Sequence, residues 1–331
     1  MRRRLLVTAL MAACALGAVL FVAHVRYGDF QRQTNPRDEV LQVPRGWSWS
    51  QVADALAQEG VVDSASWFRV LARLTPGATL KAGEYALPAG LTPGDIVGRL
   101  SRGEVLRHPL RLIEGWSLAR IRQAFLEAGL QDPLTVEMPE LPAFVPEPSG
   151  LEGLLFPDTY LFERGTSAAQ LLRLQVARMG LVLEQAWAGR PAQHPLDRYQ
   201  TLVLASIIEK ETALAAERPV VSAVFHNRLK RGMMLQSDPT VIYGIADYAG
   251  DITREHLRTD TPYNTYTRKG LPPTPICSPG AASIQAALHP AQTRALYFVA
   301  RGDGGHVFAE TYEEHSRNVR DWVRRQAEKS P

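Results

Sequence analysis

Apolar and polar positions alternate differently in three zones of the chain. The first is an uncharged run from Leu5 to Ala23, LLVTALMAACALGAVLFVA, close to the ~20 residues that a helix needs to cross a bilayer. The polar stretch RYGDFQRQTNPRDE, Arg26 to Glu39, has neither helical nor strand periodicity and reads as a tether. Short alternating segments make up the second zone. Val40 to Val43 predicts a strand, and Ser48 or Ser50 caps a helix with Val52, Ala53, Leu56 and Ala57 inward. Ser64 or Ser66 caps a second helix carrying Trp67, Val70, Leu71 and Leu74. Gly83 to Leu87 predicts a returning strand, and Thr92-Pro93 opens a helix with Ile96, Val97 and Leu100 on its buried face. A compact α+β module of about 65 residues follows, near the lower size for independent folding.

The third zone mixes longer elements with irregular stretches. His108 to Ile113 predicts a strand, and GWSLARIRQAFLEAG a helix with Leu118, Ile121 and Phe125 in register. The Pro-rich DPLTVEMPELPAFVPEPSG has no period and exceeds an ordinary connection, so it is a functional rim or an insertion. LEGLLFPDTYLF gathers aromatics around Pro157-Asp158, and Ala168 to Trp187 is an amphipathic helix with Leu172, Val176, Met179 and Leu183 on one face. LASIIEKETALAAE, Leu204 to Glu217, predicts a further helix, followed by a glycine- and proline-rich half. Gly302-Asp303-Gly304-Gly305 predicts a hairpin turn between strands Tyr297 to Ala300 and His306 to Phe308.

Length and charge sharpen this picture. A chain of 331 residues exceeds one compact core. With 37 Lys+Arg against 34 Asp+Glu the formal charge is only +3, and no basic stripe interleaved with aromatics suggests nucleic acid. Arg2, Arg3 and Arg4 precede the apolar run, which by the positive-inside bias places residues 1–4 in the cytoplasm and the remainder beyond the membrane. The run is long for a secretory signal, favouring an uncleaved anchor. Cys14 lies within it, so no disulfide to Cys277 is expected. The expected organisation is a span at 5–23, a linker at 24–38, a small module at 39–105 and a larger mixed α+β domain at 106–328.

Within Leu204 to Glu217 two carboxylates stand two residues apart. At about 100° per residue, Glu211 falls within the stripe of Leu204, Ile207, Ile208 and Ala215, whereas Glu209 points nearly opposite and Ser206, Lys210 and Glu217 cluster as a solvated face. Glu209 therefore reads as a surface residue and Glu211 as directed to the interior or to a cleft. Desolvation raises the pKa of such a carboxyl, as a general acid near neutral pH requires. Glycosidic cleavage needs that acid. A buried salt bridge to Arg218 or Arg228 is the equal alternative on helix geometry alone.

Gln236, Asp238, Thr240, Tyr243, Tyr263, Asn264, Thr265 and Tyr266 supply a dense set of amides, hydroxyls and aromatic faces in Gly/Pro-braced loops, the mixture that carbohydrate recognition uses. Singly, each is an ordinary loop hydrogen-bonding residue; together they make a site. His226, His289, His306 and His315 lack metal-ligand spacing, no Gly-x-Ser-x-Gly elbow occurs, and Cys277 has no base nearby in sequence. No metal, cofactor or serine/cysteine nucleophile is expected.

ASIIEKET, VFHNRL, LQSDPTVIYG, TPYNTYTRKGLPP, PICSPG, HPA, YFVA and GGHVF, with LIEGW, EGLLFPDTY and KAGEYAL upstream, resemble the YceG-like family of endolytic murein transglycosylases. The resemblance implies a single-pass inner-membrane protein with a periplasmic LysM-like module and catalytic domain. It implies internal cleavage of nascent peptidoglycan glycan strands between N-acetylmuramic acid and N-acetylglucosamine, leaving 1,6-anhydro-muramoyl ends. The second glutamate of its EKE motif, here Glu211, would be catalytic. Glu152 and Asp238, the obvious partners for an ordinary two-carboxylate hydrolase, are assigned with Asp158 to binding or orientation. The competing reading is a membrane-tethered glycan-binding scaffold that recruits cell-wall synthases, with Glu211 structural.

Overall fold

The computed structural model describes residues 2–147, 150–246 and 248–329. The chain is mixed α+β and divides into two compact units, residues 1–108 with 161–165 and residues 109–160 with 166–331.

The first unit opens with α1 (Arg2–Arg32), whose segment Leu10–Arg32 is long and apolar enough to cross a membrane, with a mean hydropathy of 1.7 over an 18-residue window. The segment expected to be an aperiodic tether is helical as far as Arg32. Tyr27 and Phe30, three residues apart and so on one face, both pack against the core of the unit, and Asn35 fixes the exit by donating to the Leu87 carbonyl at 2.8 Å. One apolar turn is too short to register as a period among polar neighbours, yet it is enough to anchor the helix.

β1 (Glu39–Val43) and β2 (Gly83–Leu87) pair antiparallel with Leu41 opposite Tyr85. Three helices cover them: α2 (Trp49–Gln58), α3 (Ala65–Leu74) and α4 (Pro93–Arg102). The caps are Ser48, Ser64 and Thr92, each side chain accepting from the backbone N–H three residues on. α4 buries Ile96, Val97 and Leu100 as expected. α3 does not follow the expected face: Phe68, Leu71 and Ala72 are inward, while Val70 and Leu74 are 38% and 65% exposed. Trp67 and Leu71 of the expected face still pack on the core, with Phe68 fully buried between them, so the inward stripe lies part of a residue step round from the expected one.

β3 (Arg107–Arg111) pairs with β4 (Thr159–Glu163), and the chain passes between units along these two strands. The second unit holds α5 (Leu118–Glu127), α6 (Ala168–Ala188), α7 (Arg198–Glu211), α8 (Arg218–Lys230), α9 (Asp238–Tyr243), α10 (Arg254–Arg258), α11 (Ala281–Leu288) and α12 (Tyr312–Lys329), with the hairpin β5 (Tyr297–Ala300) and β6 (His306–Ala309). The glycine- and proline-rich half thus contains short helices that periodicity did not predict. In the Pro-rich loop, residues 131–147 form no helix or strand, and Pro148 and Ser149 lie outside the described residues.

α7 is the axis of this unit, packed by α6, α8, α9 and α11. Every residue from Thr201 to Ile208 is buried, so the helix has no solvated face. Ser206, expected on such a face, is 0% exposed: its hydroxyl donates to the Val203 carbonyl and accepts from the Ile276 N–H at 3.0 Å. The helix also ends earlier than expected. Thr212 takes an extended conformation, its hydroxyl accepts from the Leu214 N–H, and Pro219 starts α8 in its first turn. Glu217 consequently caps α8, and its carboxylate accepts from the backbone and ring of His306.

Candidate active site

Glu211 is the last residue of α7, where unpaired helix carbonyls disfavour a negative charge. The residue as a whole is half-buried, while packed protein surrounds its carboxyl. Burial pushes its pKa up from the ordinary carboxylate range to about 7; Asp238 adds to the rise, while a hydrogen bond from Ser237 and the charge of Arg228 oppose it. The Ser237 hydroxyl donates to Glu211 Oε1 at 2.5 Å.

No ion pair to Glu211 occurs among the described residues. Arg218 pairs with Glu209 at 3.5 Å, both side chains largely buried. Glu209 also accepts from the Gly280 N–H at 2.9 Å. It is therefore an internal brace, not the surface residue that the helical wheel suggested, because α8 and the loop before α11 cover the side the wheel left open. Arg228 gives its donors to the carbonyls of Leu296 at 2.6 Å and Leu235 at 2.7 Å.

The loop holding Ser237 is tightly specified. Gln236 lies in the left-handed region with φ 50°, a conformation that non-glycine residues seldom adopt. Its N–H donates to the Thr265 carbonyl, and the Ser237 N–H donates to Thr265 Oγ1 at 3.0 Å. Thr240 hydrogen-bonds Thr265 at 2.8 Å, and Asn264 donates to the carbonyls of His256, Leu257 and Thr259. Thr240, Asn264 and Thr265 are buried, so they frame the loop from within. Gln236 and Asp238 are exposed, and Tyr266 donates to Asp238 at 2.5 Å.

Glu152, Tyr243 and Tyr263 form a neighbouring group. Tyr243 donates to Glu152 at 3.0 Å and meets Tyr263 edge-on, with centroids 4.7 Å apart. Glu152 also accepts from the Leu118 N–H at the start of α5, replacing a side-chain cap that Ser117 does not supply. Burial raises the Glu152 pKa, and these hydrogen bonds oppose the rise. Gly153, with φ 76°, allows Pro275 to approach where a Cβ would come within 2.3 Å of it. Asp158 joins neither group: it is exposed at the start of β4, accepts from the Thr159 N–H, and passes its carbonyl to Leu112.

Sequence reasoning passed over Ser237, although its place between Gln236 and Asp238-Pro239 marks it as the cap of a short helix. It also passed over Lys210 as an exposed residue. Lys210 lines a cleft of about 760 Å³ together with Glu152, Tyr243 and the start of α5.

The YceG-like family profile matches residues 41–321. An endolytic murein transglycosylase of Bacillus subtilis is 30% identical over 87% of this chain and 86% of its own length. One from Streptococcus pneumoniae is 30% identical over 85% of this chain, which spans 58% of that longer relative. A YceG-like protein from Listeria monocytogenes, known from a crystal structure, is 30% identical with a TM-score of 0.56 over 85% of this chain and 99% of that one. With the profile and these relatives all spanning most of its length, the chain belongs to the YceG-like family.

Proposed function

We propose that the chain is an endolytic murein transglycosylase in which Glu211 serves first as acid and then as base. The protonated carboxyl donates to the oxygen linking N-acetylmuramic acid to N-acetylglucosamine as the bond from that oxygen to C1 breaks. The muramoyl 6-oxygen closes on C1, and its proton returns to Glu211, leaving a 1,6-anhydro end. The nucleophile belongs to the substrate, so the single carboxyl suffices and no protein nucleophile or second carboxylate enters the step. The observation that carries this reading is a buried carboxyl with no ion-pair partner among the described residues, whose burial pushes its pKa up to about 7.

Ser237 orients that carboxyl from a rigid loop, and the exposed Gln236 and Asp238 with Tyr266 are the groups available to sugar hydroxyls. α1 serves as a single-pass inner-membrane anchor with its N-terminus cytoplasmic and the catalytic unit periplasmic, and residues 39–105 serve as a LysM-like glycan-holding module. The similarity to murein transglycosylases supports this assignment over a non-catalytic scaffold. The test is mass analysis of peptidoglycan digested by purified protein: anhydro-muramoyl ends are expected from the natural chain and none from Glu211→Gln, whereas equal release by both discards the role of Glu211.

A further inference from the structure

The cleft lined by Lys210, the residue before Glu211, is rich in apolar side chains. Its wall is largely aliphatic, with Leu118, Ile242 and Ile276, and includes Trp116, over whose ring the Arg120 guanidinium stacks at 4.5 Å. At about 760 Å³ it lies within the ~300–1,000 Å³ range of small-ligand sites. Four charged side chains line it. Arg122 is paired with Asp132, Arg120 with Glu127, and Glu152 is held by Leu118 and Tyr243. Lys210 differs: among the described residues it has no carboxylate partner, and its ammonium reaches only the Gly115 carbonyl at 3.5 Å, a marginal hydrogen bond. One uncompensated cation above an apolar floor fits a short acidic peptide, in which small apolar side chains alternate with carboxylates.

We infer that this cleft receives the peptide stem of the murein strand, with Lys210 pairing a stem carboxylate, so that strands carrying stems are preferred over bare glycan. The inference rests on the reading of Glu211 as the group that cuts murein. Lys210 directly precedes Glu211 on α7, and Pro239 of the cleft directly follows Asp238, so the stem and the scissile bond are handled by adjacent residues of the same two elements. The stem is attached to muramic acid, the sugar whose C1 is attacked. Filling the cleft therefore selects which sugar lies at Glu211.

The test compares kcat/KM of the full chain in detergent on glycan strands with stems, on the same strands stripped by an amidase, and on strands whose stem carboxylates are amidated. The stem-bearing strands are expected to be cut about fivefold better than either of the others, the scale of a partly exposed ion pair. Lys210→Gln should abolish this ratio and Lys210→Arg should keep it. A ratio of one in the natural chain, or an unchanged ratio in Lys210→Gln, overturns the inference. In parallel, free stem peptide is titrated while tryptophan emission is followed, with Trp116→Phe to assign the signal. If no strand is cut but the peptide binds saturably and more weakly to Lys210→Gln, the catalytic reading fails and the cleft assignment stands. If strands are cut yet no Lys210-dependent peptide binding occurs, the cleft assignment fails alone.

Discussion

The two sides of the last turn of α7 treat chemically identical groups in opposite ways. On one side Glu209 faces Arg218 and the Gly280 N–H and is tied into the packing of α8 and the loop before α11. On the other, Glu211 meets a serine hydroxyl and the charge of Asp238 and, among the described residues, has no ion-pair partner. One carboxyl is tied into the packing; the other is penalised for carrying a charge. Burial without an ion-pair partner stores acidity in Glu211, whereas burial beside Arg218 makes Glu209 part of the packing.

The largest expected effect separates the two by rate. Glu211→Gln should lower kcat by about 10³-fold or more, the scale of general acid–base catalysis, while Glu209→Gln folded at low temperature should keep most of its turnover. A comparable loss of kcat in both variants would erase the contrast. Stability should invert the ranking. Glu209→Gln leaves Arg218 buried and unpaired and should cost about 2–3 kcal/mol in denaturant unfolding.

Glu211→Gln should instead stabilise, with a sign set by pH. Because the folded pKa is raised to about 7 from the ordinary glutamate value of 4.5, the native state binds more protons than the unfolded state between those values. Stability therefore falls as pH rises through that window. The glutamine variant should match the natural chain at pH 4 and exceed it at pH 8, by about 3 kcal/mol in thermal unfolding. A variant less stable than the natural chain at pH 8 would mean that Glu211 is structural. The same titration predicts that activity declines above about pH 7 as the acid is lost.

The smallest effect belongs to Ser237→Ala. Its hydroxyl holds the Glu211 pKa down, so its removal should move the alkaline limb of the rate profile upward with only a modest loss of kcat. A downward shift would show that Ser237 acts by some route other than this hydrogen bond.

Helices with one wet face were legible in the sequence. α4 follows from Thr92, Pro93 and the spacing of Ile96, Val97 and Leu100, and α2 from Ser48 with Val52 and Leu56. α7 resisted the same treatment because it is enclosed on all sides. A helical wheel assumes a single interior direction; it placed Glu211 inward but misassigned Glu209 and Ser206, whose neighbours come from distant parts of the chain. The loop from Gln236 to Tyr266 drew notice as a collection of polar side chains, but which face inward depends on long-range bonds such as Ser237 to Thr265, which no local period records. Asp158 shows the converse: a carboxylate in a suggestive motif that stays exposed and accepts from the backbone at the start of a strand.

Because α1 continues unbroken to Arg32 and seats Tyr27 and Phe30 in the first unit's core, it behaves as a mast and not as a cord. One alanine inserted between Ala23 and Tyr27 would swing that core about the mast by about 100° while lifting it only ~1.5 Å. The azimuth of the first unit about α1 is thus written into the residue count of a single helix.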